Sequence, residues 1–330
     1  MLEHGGRLQR AVQQYGIARE QWLDLSSGIA PWSFAIPDIP LCAWARLPET
    51  DDGLEQAAAA YYRVKQVLPV AGSQAAIQAL PHLRARGTVG VLSPCYAEHA
   101  EGWRRAGHQV IELHGESVDD QLDRLDVLVV VNPNNPTGCR IDAERLLAWH
   151  ARLAQHGGWL LVDEAFIDNT PAHSIGAQAE RPGLIVLRSF GKFFGLAGVR
   201  LGFVLAEATL LQRLAELLGP WTVSGPTRIL GQACLLDRAA HQQQIARCAA
   251  ASQQLSALLS NAGFPPRGGC DLFQYLVTDE AEQLHEFMAK RGILLRLFSQ
   301  PASLRFGLPA TEADFQRLAH AFNDYRKEPS

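Results

Sequence analysis

Lysine is the scarcest charged residue of this chain. Only Lys65, Lys192, Lys290 and Lys327 are present, among 30 basic side chains. Most positive charge is therefore arginine, whose fixed planar fork suits carboxylate and phosphate. An excess of basic charge is also missing. The formal net charge is −4 and the pI is near 6.3, against the clustered basic surface that nucleic-acid binding needs. No run of about 18 apolar residues exists, which speaks against a membrane-spanning helix. The opening, Met1 to Arg10, has no apolar core, so no signal peptide is expected. Cys42, Cys95, Cys139, Cys234, Cys248 and Cys270 are scattered without a C-x-x-C pair. Neither a zinc site nor a disulfide framework follows from that spacing, and reduced thiols in the cytoplasm are the expectation. No G-x-G-x-x-G follows a strand-like run, which removes the dinucleotide-binding fingerprint.

What is present is apolar material, 47% of 330 residues, enough for one large core or two moderate ones. Val89–Leu92, Val110–Leu113, Val127–Val131, Trp159–Val162 and Leu184–Leu187 are short, branched and bounded by turn residues, as buried strands are. Helical stretches lie between them, such as Ala143–Gln155 with Leu146, Leu147 and Leu153 on one face. Strand–helix alternation predicts an α/β fold with a largely parallel sheet. After Gly202 the texture changes. Glu207–Leu218 and Pro226–Leu259 read as long helices. The tail alternates again, with strands at Leu272–Val277, Ile293–Leu297 and Ser303–Phe306 and helices at Ala281–Arg291 and Glu312–Tyr325.

Three segments carry chemistry. Asn132-Pro133-Asn134-Asn135-Pro136-Thr137-Gly138 follows Val127–Val131 and forces a rigid turn at a strand's C-terminal end, the edge where open α/β sheets bind ligands. Asp163-Glu164-Ala165-Phe166 ends the next strand, and an acid there beside an aromatic can hold a partly buried cation. Arg188-Ser189-Phe190-Gly191-Lys192-Phe193-Phe194 ends the one after, running on to Arg200. Lys192 is the single lysine between Lys65 and Lys290. Apolar surroundings lower an ammonium's pKa and make it a usable amine nucleophile, while Ser189 and Arg200 suit a dianionic phosphate.

Together these segments resemble the fold-type I pyridoxal-phosphate enzymes, in the branch that holds histidinol-phosphate aminotransferases and threonine-phosphate decarboxylases. The resemblance spans nearly the whole chain. It implies the aspartate-aminotransferase-like fold: a pyridoxal-phosphate-binding large domain over 46–225, with a smaller α+β domain built from 1–45 and 226–330. It makes Lys192 the Schiff-base lysine, Asp163 the partner of the ring nitrogen and Asn135 a donor to the ring O3′. It puts the cofactor phosphate on Gly72, Ser73 and Gln74, with Ser189 and Arg200, and stacks Tyr96 on the ring. A homodimer is implied as well, with neither nucleic acid nor membrane as partner.

Within the branch, His4-Gly5-Gly6, Asp24-Leu25-Ser26-Ser27, Phe166 and Pro220-Trp221-Thr222-Val223 are similar to the decarboxylases. Aminotransferases of the branch typically carry tyrosine at 166. The implied reaction is decarboxylation of L-threonine O-3-phosphate to (R)-1-amino-2-propanol O-2-phosphate, used in the cobalamin nucleotide loop. The alternative is a histidinol-phosphate-type or other aminotransferase. By the same resemblance Arg305 takes the substrate carboxylate, and Arg296 with His4 its phosphate. Phe166 offers O3′ no phenol donor, so the lysine–cofactor linkage is expected to stay protonated at neutral pH. The chain departs from the pattern at Leu47, where relatives carry a tyrosine that reaches the neighbouring subunit's cofactor phosphate. It departs again at Gly28 and Ala30, where two asparagines are usual, and in a short loop between Arg296 and Arg305.

Overall fold

The computed structural model describes residues 5–115 and 117–327. The chain divides into two compact units. One comprises Phe34–Asn135 and Arg140–Gln242; the other comprises Met1–Ser33, Pro136–Cys139 and Gln243–Ser330.

The first unit is built on a seven-stranded sheet. Its strands are β1 (Leu68–Val70), β2 (Thr88–Leu92), β3 (Gln109–Leu113), β4 (Val127–Val131), β5 (Trp159–Asp163), β6 (Leu184–Ser189) and β7 (Gly202–Leu205). They lie in the order β1-β7-β6-β5-β4-β2-β3. All run parallel except β7, which is antiparallel to both of its neighbours. The valines and the leucine of β4 are all buried, as expected of a parallel strand covered by helices on both faces. Helix Ala143–Ala154 shows the matching pattern, burying Leu146, Trp149, His150 and Leu153 at helical spacing. One apolar core runs from Val70 and Ile77 through Val89, Val129 and Leu161 to Leu187 and Val204.

This topology decides where a ligand can be held. The chain leaves β2 toward β3 on one side and then fills the other side from β4 onward. The C-terminal ends of β1, β2, β4, β5 and β6 share one edge, because those strands are parallel. The start of the antiparallel β7 lies at the same edge. Separate sequence segments are thereby delivered to one rim.

The second unit holds a four-stranded antiparallel sheet: β8 (Gly268–Cys270), β9 (Phe273–Val277), β10 (Arg296–Ser299) and β11 (Ala302–Gly307), ordered β10-β11-β9-β8. Helix Glu312–Tyr325 opens on a capping box, with Thr311 and Asp314 each satisfying the other's backbone N–H.

Two elements differ from the sequence reading. The stretch Pro226–Leu259 is two helices, Gly225–Leu236 and Arg238–Asn261. Asp237 breaks it by turning its carboxylate back to accept from the Ala240 N–H at 2.9 Å, an N-cap that starts the second helix. The stretch Ile293–Leu297 is also split. Ile293–Leu294 pairs in parallel with Leu23–Asp24, while Arg296–Ser299 turns antiparallel to β11. The short loop between the arginines is a tight hairpin, with Ser299 paired to Ala302 around Gln300-Pro301.

Candidate active site

The rim of the seven-stranded sheet gathers most of the residues singled out from sequence. Asp163 closes β5 and is 3% exposed. One carboxylate oxygen accepts from the Ala165 N–H at 3.0 Å and the other lies 2.9 Å from His99 Nε2. His99 sits in helix Glu98–Arg105 and is fully buried, and its Nδ1 has no hydrogen-bond partner among the described residues. Val131, at the end of β4, registers against Asp163, and the Asn132 N–H donates to the Asp163 carbonyl at 2.9 Å. The turn after β4 is braced by its own side chains. Asn132 Nδ2 donates to the Ile141 carbonyl and its Oδ1 accepts from the Ile141 N–H, while Asn134 Nδ2 donates to the Pro94 carbonyl. Asn135 is half-buried at the end of this frame.

Tyr96 follows β2, with its ring edge-on to His99 at 6.1 Å and its hydroxyl donating to Gln74 Oε1 at 3.1 Å. Burial, helped by the negative Glu98 and Asp163, pushes its phenol up to about 12, so it stays neutral in any working range. Gln74 and Gln78 both donate to Glu98.

Gly72, Ser73 and Arg200 meet where β1 and β7 lie side by side. Gly72 has φ +72°, open to glycine and strained for other residues. A Cβ there would fall 2.6 Å from Arg200 Nη2, so the guanidinium lies directly over this backbone. A Cβ on Gly202 would fall 2.4 Å from the Ser73 N–H nitrogen. Arg200 itself adopts φ +55° and is exposed. Ser189, at the end of β6, registers against Gly202. The result is a cradle of backbone N–H, hydroxyl and guanidinium, which fits a phosphate dianion. Lys192 is half-buried in the turn Phe190–Phe193, and its Nζ lies 5.8 Å from the ring centroid of the buried Phe166.

Beneath these residues lies a cluster that the sequence reading did not single out. Arg188, 3% exposed, reaches Glu164 Oε2 at 3.3 Å and Asp168 Oδ1 at 2.5 Å. Glu164 also accepts from Ser174 and from the Ile175 N–H, and Tyr61 donates to Asp168. Burial raises the Glu164 carboxyl despite Arg188 beside it. Glu164 neighbours Asp163 and Arg188 neighbours Ser189, so the ion cluster clamps the ends of β5 and β6.

In the second unit, Arg305 on β11 is 6% exposed and directly opposite Arg296 on β10. Burial, aided by Arg296, pulls Arg305 down to about 10. Its Nη2 donates to the Ser26 carbonyl at 2.9 Å. Two like charges across a ladder, one of them buried, form a pair that an anion would relieve. Leu47 is 63% exposed, and Ala30 is buried. His4 lies outside the described residues.

Residues 43–322 match the family model for class I and II aminotransferases. The chain belongs to that family. The expected fold and the expected cofactor hold: this is an α/β pyridoxal-phosphate enzyme of the aminotransferase fold. The threonine-phosphate decarboxylase of Pseudomonas aeruginosa is 62% identical over 330 residues, covering all of this chain and 99% of that one. A threonine-phosphate decarboxylase of Sinorhizobium is 43% identical over 328 residues, 97% of each chain. The histidinol-phosphate aminotransferase of Sinorhizobium meliloti, solved with pyridoxal-5'-phosphate, shares the fold at a TM-score of 0.85. It is 18% identical and covers 99% of this chain and 95% of that one. Among the described residues no helix is long and apolar enough to cross a membrane, and no three His, Cys, Asp or Glu side chains are grouped to hold a metal.

Proposed function

We propose that this family member decarboxylates L-threonine O-3-phosphate, releasing carbon dioxide and (R)-1-amino-2-propanol O-2-phosphate for the nucleotide loop of cobalamin. The observation that carries this reading is the 62% identity, end to end, to a threonine-phosphate decarboxylase. The opposed Arg296 and Arg305 support it, because a substrate with both carboxylate and phosphate answers two neighbouring cations.

Pyridoxal phosphate supplies the electron sink that accepts the pair left on Cα when the carboxylate departs. Lys192 Nζ is assigned as the amine that carries it, and Asp163 as the acid that keeps the ring nitrogen protonated. The 2.9 Å contact with His99 and the Ala165 N–H would hold that carboxylate in one orientation. Asn135 would donate to O3′, with Tyr96 on the ring face. Gly72, Ser73, Gln74, Ser189 and Arg200 would hold the phosphate. Phe166 would offer O3′ no phenol donor.

Choice of reaction rests on orientation. The bond to be broken must stand perpendicular to the ring, so the residue gripping the carboxylate selects decarboxylation over proton abstraction. We assign Arg305 that grip, and Arg296 with His4 the substrate phosphate. A proton then replaces carbon dioxide at Cα, and no 2-oxo acid takes part.

A homodimer in the cytoplasm completes the reading. Leu41 is 80% exposed, Trp44 65%, Leu47 63% and Trp221 59%. Pro48–Asp51, which follow Leu47, and Pro220–Val223, which include Trp221, line one cleft. Large exposed apolar side chains such as these suit a subunit interface.

The test is carbon dioxide release from L-threonine O-3-phosphate with added pyridoxal phosphate and no 2-oxo acid. Steady turnover, abolished by Lys192→Ala, is the expected result. No release, together with 2-oxoglutarate-dependent loss of amine from histidinol phosphate, would replace the reading by an aminotransferase.

A further inference from the structure

Hydrogen bonds from three separate stretches of chain converge on Ser26. It is 2% exposed and follows the short strand Leu23–Asp24. Its hydroxyl accepts from the Gly6 N–H at 2.8 Å and donates to Asp24 Oδ1 at 2.6 Å. The Ser26 N–H donates to the same Asp24 oxygen at 2.9 Å. Its carbonyl accepts from Arg305 Nη2 at 2.9 Å.

The same carbonyl is also where the N-terminal segment packs. A Cβ on Gly5 would fall 2.3 Å from Ser26 O, so only glycine lets the segment come this close. The neighbouring backbone is fixed from the other side. Leu25 N–H donates to the Leu294 carbonyl at 2.8 Å and accepts, through its own carbonyl, from the Gly307 N–H at 2.7 Å. Gly307 approaches Ser27 O so closely that a Cβ would lie 2.3 Å away. Ser26 is thus a rigid point at which the Gly5-Gly6 segment and the arginine of β11 are brought together.

We propose that Ser26 is a positioning residue that makes the Gly5-Gly6 strap and Arg305 a single anion-reading element for the substrate. This rests on the substrate reading above. The carbonyl sets the direction of the Arg305 guanidinium, and the hydroxyl fastens the strap beside it. The two jobs use different atoms, so they can be separated. Ser26→Ala keeps the carbonyl and with it the carboxylate grip. It loses the hydroxyl, and the strap with it.

The experiment is steady-state decarboxylation of L-threonine O-3-phosphate by holoenzyme, wild type against Ser26→Ala, with pyridoxal-phosphate affinity measured alongside. The expected result is a KM raised roughly five- to tenfold, the loss of one buried hydrogen bond. The kcat should stay within about twofold, and cofactor affinity should not change. Deleting residues 1–6 should raise KM at least as much, again with kcat held. If Ser26→Ala does not fold, Ser26→Cys, whose sulfur accepts only weakly, carries the same expectation. An unchanged KM overturns the proposal. So does a fall in kcat and cofactor affinity that accompanies the rise in KM, which marks a merely structural residue. Wild-type protein that does not turn over the substrate overturns the substrate reading itself, a separate outcome.

Discussion

Replacing Arg305 with methionine should make the unliganded protein more stable while weakening its hold on substrate. The guanidinium is 6% exposed, faces Arg296 across the ladder, and is pulled from the ordinary arginine range down to about 10. At about 1.4 kcal/mol per tenfold change in proton affinity, the charged form carries a penalty of about 3 kcal/mol. The sign follows from the charge. Below pH 10 the folded protein keeps the proton and bears the whole penalty. Above pH 10 the folded state sheds the proton before the unfolded chain does, and the penalty fades. Methionine removes the charge at similar volume and flexibility. It also leaves the Ser26 carbonyl without its donor, at a cost of about 1 kcal/mol. The net gain is about 1–2 kcal/mol at pH 8, a rise in Tm of about 2–4 °C, and it should shrink above pH 10. Meanwhile kcat/KM for L-threonine O-3-phosphate should fall by about 10- to 100-fold, the loss of one charge-assisted contact. Thermal melts at pH 8 and pH 10.5 without anions, beside initial rates, measure both sides. A variant that melts below wild type at pH 8 would refute the reasoning.

Three further outcomes are expected. His99→Leu strips the buried Asp163 of its 2.9 Å partner and should lower kcat by roughly tenfold or more, with little change in KM; an unaltered kcat in steady-state assays would count against His99 as a support of Asp163. Gly72→Ala puts a Cβ 2.6 Å from Arg200 Nη2 at φ +72°, and equilibrium dialysis should show pyridoxal-phosphate affinity down by about tenfold or more, from about 1–2 kcal/mol of backbone strain. With Phe166 beside Lys192, the visible absorbance of bound cofactor should hold its protonated form through pH 7; a spectrophotometric titration that finds the unprotonated form there contradicts this.

The central strands are legible in the sequence because β4, β5 and β6 open on continuous apolar runs of four or five residues. Strands β1 and β7 are not. Leu68-Pro69-Val70 is three residues around a proline, and Gly202–Leu205 opens on glycine. Sheet pairing makes them strands, and neither has a local pattern long enough to announce it. The same limit governs the site. Lys192, Asp163 and the Asn132–Gly138 turn stand in strings whose composition is itself unusual. His99 is one histidine in an ordinary helix, 64 residues before Asp163, and only the fold makes it a neighbour. The signal that points to it is helical phase: His99, Ala100 and Trp103 form the buried face of Glu98–Arg105, so the histidine faces inward. Arg188 reads from sequence only as the start of the lysine string. Yet an arginine inside an apolar strand demands buried acids, and Glu164 and Asp168 meet that demand.

The Glu164–Arg188–Asp168 cluster has a consequence for how such a sequence can drift. Removing Arg188 strands two acids inside the protein, at a cost of about 3–5 kcal/mol, a large share of what a domain has to spare, and removing either acid takes a partner from the buried guanidinium. Exchanging all three for apolar residues together need cost little. Descent through single changes is therefore closed, and the triplet should be inherited as a block or lost as one, whatever happens to the substrate-facing residues around it.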